Sequence, residues 1–185
     1  MQLIDSSLVN QVAIVTGVAG GIGSAIARTF HRLGAPMVLA DCDEESVSRL
    51  PFSLDPTCQR VIPVAYDASK PSDADAVVST CIARFSHIDH VIPAAAIFED
   101  QPFATMTDAQ WRRTKSINLD GMFYICRRSI PCIRSGGTIV NIASSAAHEG
   151  CSPEHVHYGA SKGGVLAFTK VAFLCSNEST YIMGT

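Results

Sequence analysis

The chain has 185 residues, 47% of them hydrophobic and 17% charged, with a formal net charge of −3. That length suits one sizeable core, so a single domain over 1–185 is expected rather than two. The weak negative charge provides no basic stripe for nucleic acid or for an anionic membrane surface, and small molecules are the expected partners.

The amino end, Met1 to Gln11, carries no basic cluster ahead of an apolar run, so neither a secretory signal nor a transit peptide is expected. The uncharged stretch from Val12 to Ala27 is interrupted by glycines and falls short of the roughly 18 to 20 apolar residues a bilayer crossing needs. The seven cysteines, at 42, 58, 81, 126, 132, 151 and 175, include no C-x-x-C pair, which speaks against a disulfide framework and a zinc site. Reduced thiols in a cytoplasmic protein, with no metal, are the expectation.

In chain order, "QVAIVTG" reads as a buried strand stopping at glycine. A helix follows in which Ile22, Ile26, Phe30 and Leu33 make one apolar stripe, and Gly34 stands where a left-handed cap ends it. "PMVLAD" is a second strand. Then come a polar helix after Asp43, a strand at "RVIPVAYD", a helix from about Ser72 to Phe85, and a strand at "HIDHVIPAAA".

Thr107 and Gln110 form a T-x-x-Q capping box. It opens a long helix whose Leu119, Met122, Phe123, Cys126, Ile130 and Ile133 share a face, and which Gly136 and Gly137 stop. A fifth strand at "TIVNIAS" and a last helix from about Tyr158 complete the alternation. The pattern predicts an α/β fold, a doubly wound parallel sheet with helices on both faces.

The turn "TGVAGGIG", residues 16 to 23, lies between the first strand and the first helix, where a dinucleotide pyrophosphate is held. Glycines at 17, 21 and 23 permit a tight turn and let backbone N–H groups approach the phosphates, whose charge the helix N-terminus stabilises. Methyltransferases and other nucleotide binders use similar turns, and Gly20 leaves the spacing ambiguous. Asp41 narrows the choice, because it closes the second strand about 20 residues on, where a carboxylate accepts from ribose hydroxyls. No arginine or lysine adjoins it in sequence, which favours NAD over NADP. The plain role of helix N-cap fits the neighbouring Asp43 better.

"YGASK" puts Tyr158 and Lys162 one helical turn apart on one face. A tyrosine hydroxyl ionises near about 10, so proton transfer near neutrality needs help, and a nearby ammonium favours the phenolate. The same spacing also arises in surface helices. Here Ser145 stands thirteen residues earlier, in "VNIASSAA", and Asn118 lies in "SINLDG". Ser144 competes with Ser145, and the spacing to Tyr158 favours Ser145. His155 and His157 read as solvated loop residues.

Taken together, these motifs resemble the short-chain dehydrogenase/reductase family from Val12 to about Lys170: TGxxxGxG as "TGVAGGIG", the acid Asp41, "DA" at Asp67 and Ala68, "INLDG", "IVNIASS" and YxxxK. The resemblance implies an oxidoreductase that moves hydride between NAD(H) and an alcohol or ketone. It implies Tyr158 as general acid/base, Lys162 on the nicotinamide ribose favouring the tyrosinate, Ser145 orienting the substrate oxygen, and Asn118 anchoring a water in a proton relay. It further implies cofactor contacts from Gly17, Gly21, Ile22, Gly23, Asp41, Asp67, Ala68, Ala95, Tyr158 and Lys162, and pairing of subunits into a homo-oligomer.

The chain departs from the family in two places. Residues 93 to 96 read "PAAA" where the family has N-N-A-G, so Pro93 removes a strand donor and Ala96 replaces a glycine. After Lys170 the chain passes directly into "FLCSNESTYIMGT", over 171–185, which resembles a much later family segment. A sixth strand and a substrate lid are then missing between them, as an altered splice or gene model would produce. The alternative reading is a shortened dinucleotide-binding product without a competent substrate pocket.

Overall fold

Residues 7–174, described by a computed structural model, alternate strand and helix. β1 (Ala13–Thr16), β2 (Met37–Asp41), β3 (Val61–Ala65), β4 (Ile88–Pro93) and β5 (Ile133–Ile139) form one sheet in the order β3-β2-β1-β4-β5, every pair parallel. The helices are α1 (Gly21–Arg32), α2 (Glu44–Leu54), α3 (Pro71–Phe85), α4 (Asp108–Lys115), α5 (Gly121–Ser129), α6 (Ala146–Glu149) and α7 (Val156–Leu174). The fold is the doubly wound, Rossmann-like α/β sheet that the alternation predicts.

The three inner strands β1, β2 and β4 are buried on both sides, and alternate residues of the sheet feed two separate cores. Ile14, Val38, Ala40, Ile88 and Val91 pack with Val77 and Cys81 of α3, Ile125 of α5 and Val165 of α7. Ala13, Val15, Met37 and Leu39 pack on the other side with Ala27 of α1 and with Val47 and Leu50 of α2. Strand order reverses between β1 and β4, opening a crevice at the carboxyl ends of the strands, which is where such sheets bind ligands.

Several local expectations hold. Gly34 is left-handed, with φ +90°, just past α1. Asp43 caps α2, its carboxylate accepting from the N–H groups of Glu45 and Ser46 at 3.1 and 3.2 Å. Thr107 and Gln110 form the reciprocal capping box at the start of α4.

Others do not. Ile22 is 59% exposed, because the first turn of α1 stands above the sheet. The core-facing positions of α1 are instead Gly23, Ile26, Ala27 and Phe30. The long helix is broken twice, by a π-helical turn at Ser116–Asp120 and by Pro131, which ends regular α-helix at Ser129. Ile130 is consequently 56% exposed, and Ile133 belongs to β5.

The fifth strand also starts earlier and ends sooner than "TIVNIAS" suggests. Ile133 pairs with Ile88, the chain bulges through Gly136 at φ +81°, and Thr138 and Ile139 then pair with His90 and Val91. Pro93 is tolerated because it is the last residue of β4, aligned with Thr16, while the described pairing with β5 stops at Val91. Among the described residues no strand flanks the outer side of β5, and Val140 is 51% exposed. Lys170 and Val171 lie inside continuous α7, and the rest of the tail segment, from residue 175, lies outside the described residues.

Candidate active site

The glycine turn is built by its own packing. Gly17 is left-handed, with φ +73°, and a Cβ there would meet Ala95 N at 2.5 Å. A Cβ at Gly23 would lie 2.2 Å from Gly17 O, so glycine there lets α1 start tightly against the turn. Gly21 is different, since nothing lies within 4 Å of where its Cβ would be.

The first turn of α1 is also uncapped. Gly20 precedes it and offers no side-chain acceptor, whereas Asp43 and Thr107 cap α2 and α4. Backbone N–H groups at a helix start need a partner, and an uncapped start beside open space is suited to an anion. These features fit the pyrophosphate of a dinucleotide.

A cleft of about 720 Å³ runs along the carboxyl ends of β1 to β4, lined in part by Gly17, Asp41, Asp67, Ala68, Ala95 and Arg113. Asp41 is 8% exposed and holds the turn in place: Oδ2 accepts from Ala19 N–H at 2.8 Å and Oδ1 from Asp43 N–H at 3.1 Å. A carboxylate has about four acceptor sites, so capacity remains for ribose hydroxyls. Asp67 accepts from the Ser69 hydroxyl and N–H and pairs with Lys70, and the Ser69 hydroxyl above all holds its carboxyl below the usual range. Ala68 is buried against Gly121, where an added Cβ would meet Ala68 O at 2.6 Å.

Sequence adjacency does not reveal Arg112 and Arg113, which also line this cleft from α4. Both are paired, Arg112 with Asp108 and Arg113 with Glu99. Ala96, where the family has glycine, is an exposed lining residue.

The π-helical turn points Asn118 inward, 2% exposed. Its Oδ1 accepts from Ile97 N–H at 2.8 Å, while Nδ2 donates to Ile97 O at 2.9 Å and to Ser161 Oγ at 3.2 Å. Asn118 therefore fixes the backbone that leaves β4 and ties it to α7. Ile97 and Ser161 are partners that no sequence motif announces.

Tyr158 and Lys162 sit one turn apart on α7, the ammonium 5.9 Å from the centre of the tyrosine ring. Lys162 is 4% exposed, donates to Ile142 O at 2.6 Å, and burial pushes its pKa down. Ser145 is exposed at the N-cap of α6. Ser144 is half-buried, and its hydroxyl accepts from Ala146 N–H at 3.2 Å.

Of the histidines beside Tyr158, His155 is a half-buried loop residue and His157 is neither solvated nor in a loop. His157, in the first turn of α7, is fully buried with no partner on either ring nitrogen, and burial is the main cause of its lowered pKa. His155 retains 16% side-chain exposure and is held by Asp100 and Ser152. The i, i+3 spacing of Ser152 and His155 was the one available signal. Among the described residues no cluster of histidine, cysteine, aspartate and glutamate could hold a metal, and no helix is long and apolar enough to cross a membrane.

Residues 11–178 match the family model for short chain dehydrogenase. The chain belongs to the short-chain dehydrogenase/reductase family. Among similar proteins, 3beta-hydroxysteroid dehydrogenase 2 of Eggerthella lenta is 32% identical over 176 residues, covering 90% of this chain and 66% of that relative. The crystal structure of a short-chain dehydrogenase/reductase, glucose/ribitol dehydrogenase, from Brucella melitensis superposes with a TM-score of 0.85 at 42% identity, over 89% of this chain and 68% of that one. A 3-ketoacyl-(acyl-carrier-protein) reductase from Brucella melitensis, complexed with NADH, gives a TM-score of 0.83 at 27% identity, over 91% and 71%. The chain thus spans about two thirds of the length of these family members.

Proposed function

We propose that this family member is an NAD(H)-dependent oxidoreductase acting on a small alcohol or ketone. The observation that carries the reading is the Tyr158–Lys162 pair on α7, with the ammonium buried and oriented by Ile142 O. When bound, the nicotinamide supplies or accepts the hydride. Gly17, Gly21 and Gly23, the uncapped start of α1 and Asp41 hold the dinucleotide, with Asp67, Ala68 and Ala95 along the adenosine side. The Tyr158 hydroxyl gives its proton to the substrate oxygen in reduction and takes it in oxidation. Lys162 stabilises the tyrosinate, and Ser145 orients the substrate oxygen.

Asn118 spends both Nδ2 hydrogens on Ile97 and Ser161. Its part in a proton relay therefore rests on remaining acceptor capacity, with its main work the placement of the β4 exit beside the cofactor. NAD is favoured over NADP because Asp41 opposes a 2′-phosphate and both cleft arginines are already paired with carboxylates. The test is parallel titration with NADH and NADPH, followed by NADH-linked turnover of a panel of secondary alcohols and ketones. Tighter binding of NADPH, or NADH binding without turnover of any substrate, overturns the corresponding part.

The uncovered edge at β5, with Val140 half-exposed just past it, favours a second reading, a chain that binds the dinucleotide but turns over weakly. An uncovered sheet edge and apolar surface weaken a site that needs water excluded. Inserting a family-like strand and lid after Lys170 separates the two. A large gain in turnover with unchanged NADH affinity supports the second reading, and no gain rejects it.

A further inference from the structure

Two loops meet beside Tyr158. One leaves β4 and runs to the capping box of α4, and the other joins α6 to α7. Two backbone hydrogen bonds join them, Gln101 N–H to Glu154 O at 2.9 Å and Phe103 N–H to Pro153 O at 3.0 Å. The first loop is braced against α4 on both sides of Asp100, by the Glu99–Arg113 ion pair and by the Gln110 amide donating to Gln101.

His155 sits at this junction and is held at both ring nitrogens, by Asp100 Oδ1 on Nε2 and by Ser152 Oγ on Nδ1, each at 2.7 Å. An ionised carboxylate only accepts, so Nε2 carries a hydrogen, and in the neutral ring Nδ1 accepts from the Ser152 hydroxyl. The ring cannot turn without breaking one of these bonds. Its face stacks on Phe98, with centroids 4.2 Å and planes 14° apart. Phe98 in turn stands at right angles to Tyr158, at 4.8 Å and 88°. Phe98 is nevertheless 60% exposed.

Resting on the reading of Tyr158 as proton donor, we propose that Phe98 is the wall on which the apolar flank of the substrate packs, and that His155 is the positioning residue that holds this wall against Tyr158. The corresponding substrate class is an alcohol or ketone whose reacting carbon bears a flat apolar group such as phenyl. An exposed aromatic that touches the proton donor offers ring contact to whatever the reacting carbon carries, and such contacts favour offset or edge-on aromatic partners. Asp100 is 79% exposed, so its ion pair adds little stability by itself, and its work is orientation of the His155 ring.

The test uses the full chain with saturating NADH and two probe ketones, acetophenone and butan-2-one, whose binding is measured by calorimetry and by saturation-transfer NMR. Phe98→Ala and His155→Ala should weaken acetophenone by about tenfold while changing butan-2-one by no more than about twofold. NADH affinity and melting temperature should stay close to the parent. His155→Phe keeps a stacking face and should restore acetophenone binding in part, which a general structural role for the polar clamp would not allow. Asp100→Asn should shift the Tyr158 ring resonances while the fold persists, and it carries the test of His155 should the alanine variant fail to fold.

Acetophenone binding that is equal in parent and Phe98→Ala, equal loss of both probes, or no binding of acetophenone to the parent overturns the proposal. Failure of NADH binding alone overturns the dinucleotide reading and leaves a Phe98-dependent acetophenone site standing.

Discussion

The Asp41 carboxylate accepts from the Ala19 N–H at 2.8 Å, so the residue that closes β2 also holds the glycine turn that follows β1. Asp41→Ala therefore has two effects. On the proposed reading it should narrow any preference for NADH over NADPH by removing the repulsion of a 2′-phosphate. It should also weaken NADH itself, because the turn loses an anchor and the ribose loses an acceptor. Fluorescence titration with both cofactors checks this, and an unchanged ratio refutes the assignment.

Tyr158→Phe keeps the ring packed against Phe98 and removes the hydroxyl. Turnover should fall by about 10² to 10⁴-fold, the usual range for general acid/base catalysis, with NADH affinity changed by about twofold or less. Unimpaired turnover in this variant would show that another group carries the proton.

Ser144→Ala and Ser145→Ala separate two neighbours that sequence spacing alone ranks. Ser144 accepts from Ala146 N–H at the start of α6, so its loss should lower stability by up to about 1 kcal/mol with little effect on turnover. Ser145 is exposed, and its loss should reduce turnover at constant melting temperature. The reverse pattern would move the substrate-orienting role to Ser144.

Gly23→Ala places a Cβ 2.2 Å from Gly17 O, a contact that only backbone movement relieves. A cost of about 1 to 3 kcal/mol and a marked loss of NADH binding are expected, since the turn itself has to shift. Gly21→Ala meets nothing within 4 Å and should fold normally while still weakening NADH, because on the proposed reading the methyl enters the space the phosphates take. Thermal melts alongside titrations distinguish the two glycines.

His157 is fully buried without a partner, and burial lowers its pKa below the ordinary histidine value. The unfolded chain therefore binds the proton first as pH falls. The stability that neutral His157 allows is present above about 6.5 and is lost as pH drops from there toward the lower folded value. His90, also lowered by burial, acts in the same direction. His157→Leu should raise stability at pH 7 by about 1 kcal/mol and flatten, without abolishing, the fall in melting temperature between pH 7 and 5. An unchanged acid profile would rule out His157 as a contributor.

Much of this was legible in the residues. The strand-turn-helix around "TGVAGGIG" could be read because glycines at 17, 21 and 23 interrupt an otherwise buried run, and Asp43 could be separated from Asp41 because only it precedes a polar helix. The start of the fifth strand could not, since Ile133 continues an apolar stripe that Pro131 has already ended as a helix, and its pairing with Ile88 is a contact between distant residues. The burial of His157 is illegible for a related reason. Its polarity suggests water, and only the tertiary packing of α7, chiefly with α4, α6 and the π-helical turn, buries it.

The π-helical turn at Ser116–Asp120 sets the rotational phase of everything after it. Each residue of an α-helix advances the chain by about 100°, so the wider turn acts as a phase adjuster between α4 and α5. As it stands, Met122, Ile125, Cys126 and Ser129 face inward. Wound as regular α-helix with the same residues, the segment would move Gly121, Tyr124, Ile125 and Arg128 into those places and drive a guanidinium toward the buried face. Asn118 lies within the turn and would rotate with it, so the wider turn serves both the inward phase of α5 and the Asn118 bonds that tie the β4 exit to α7.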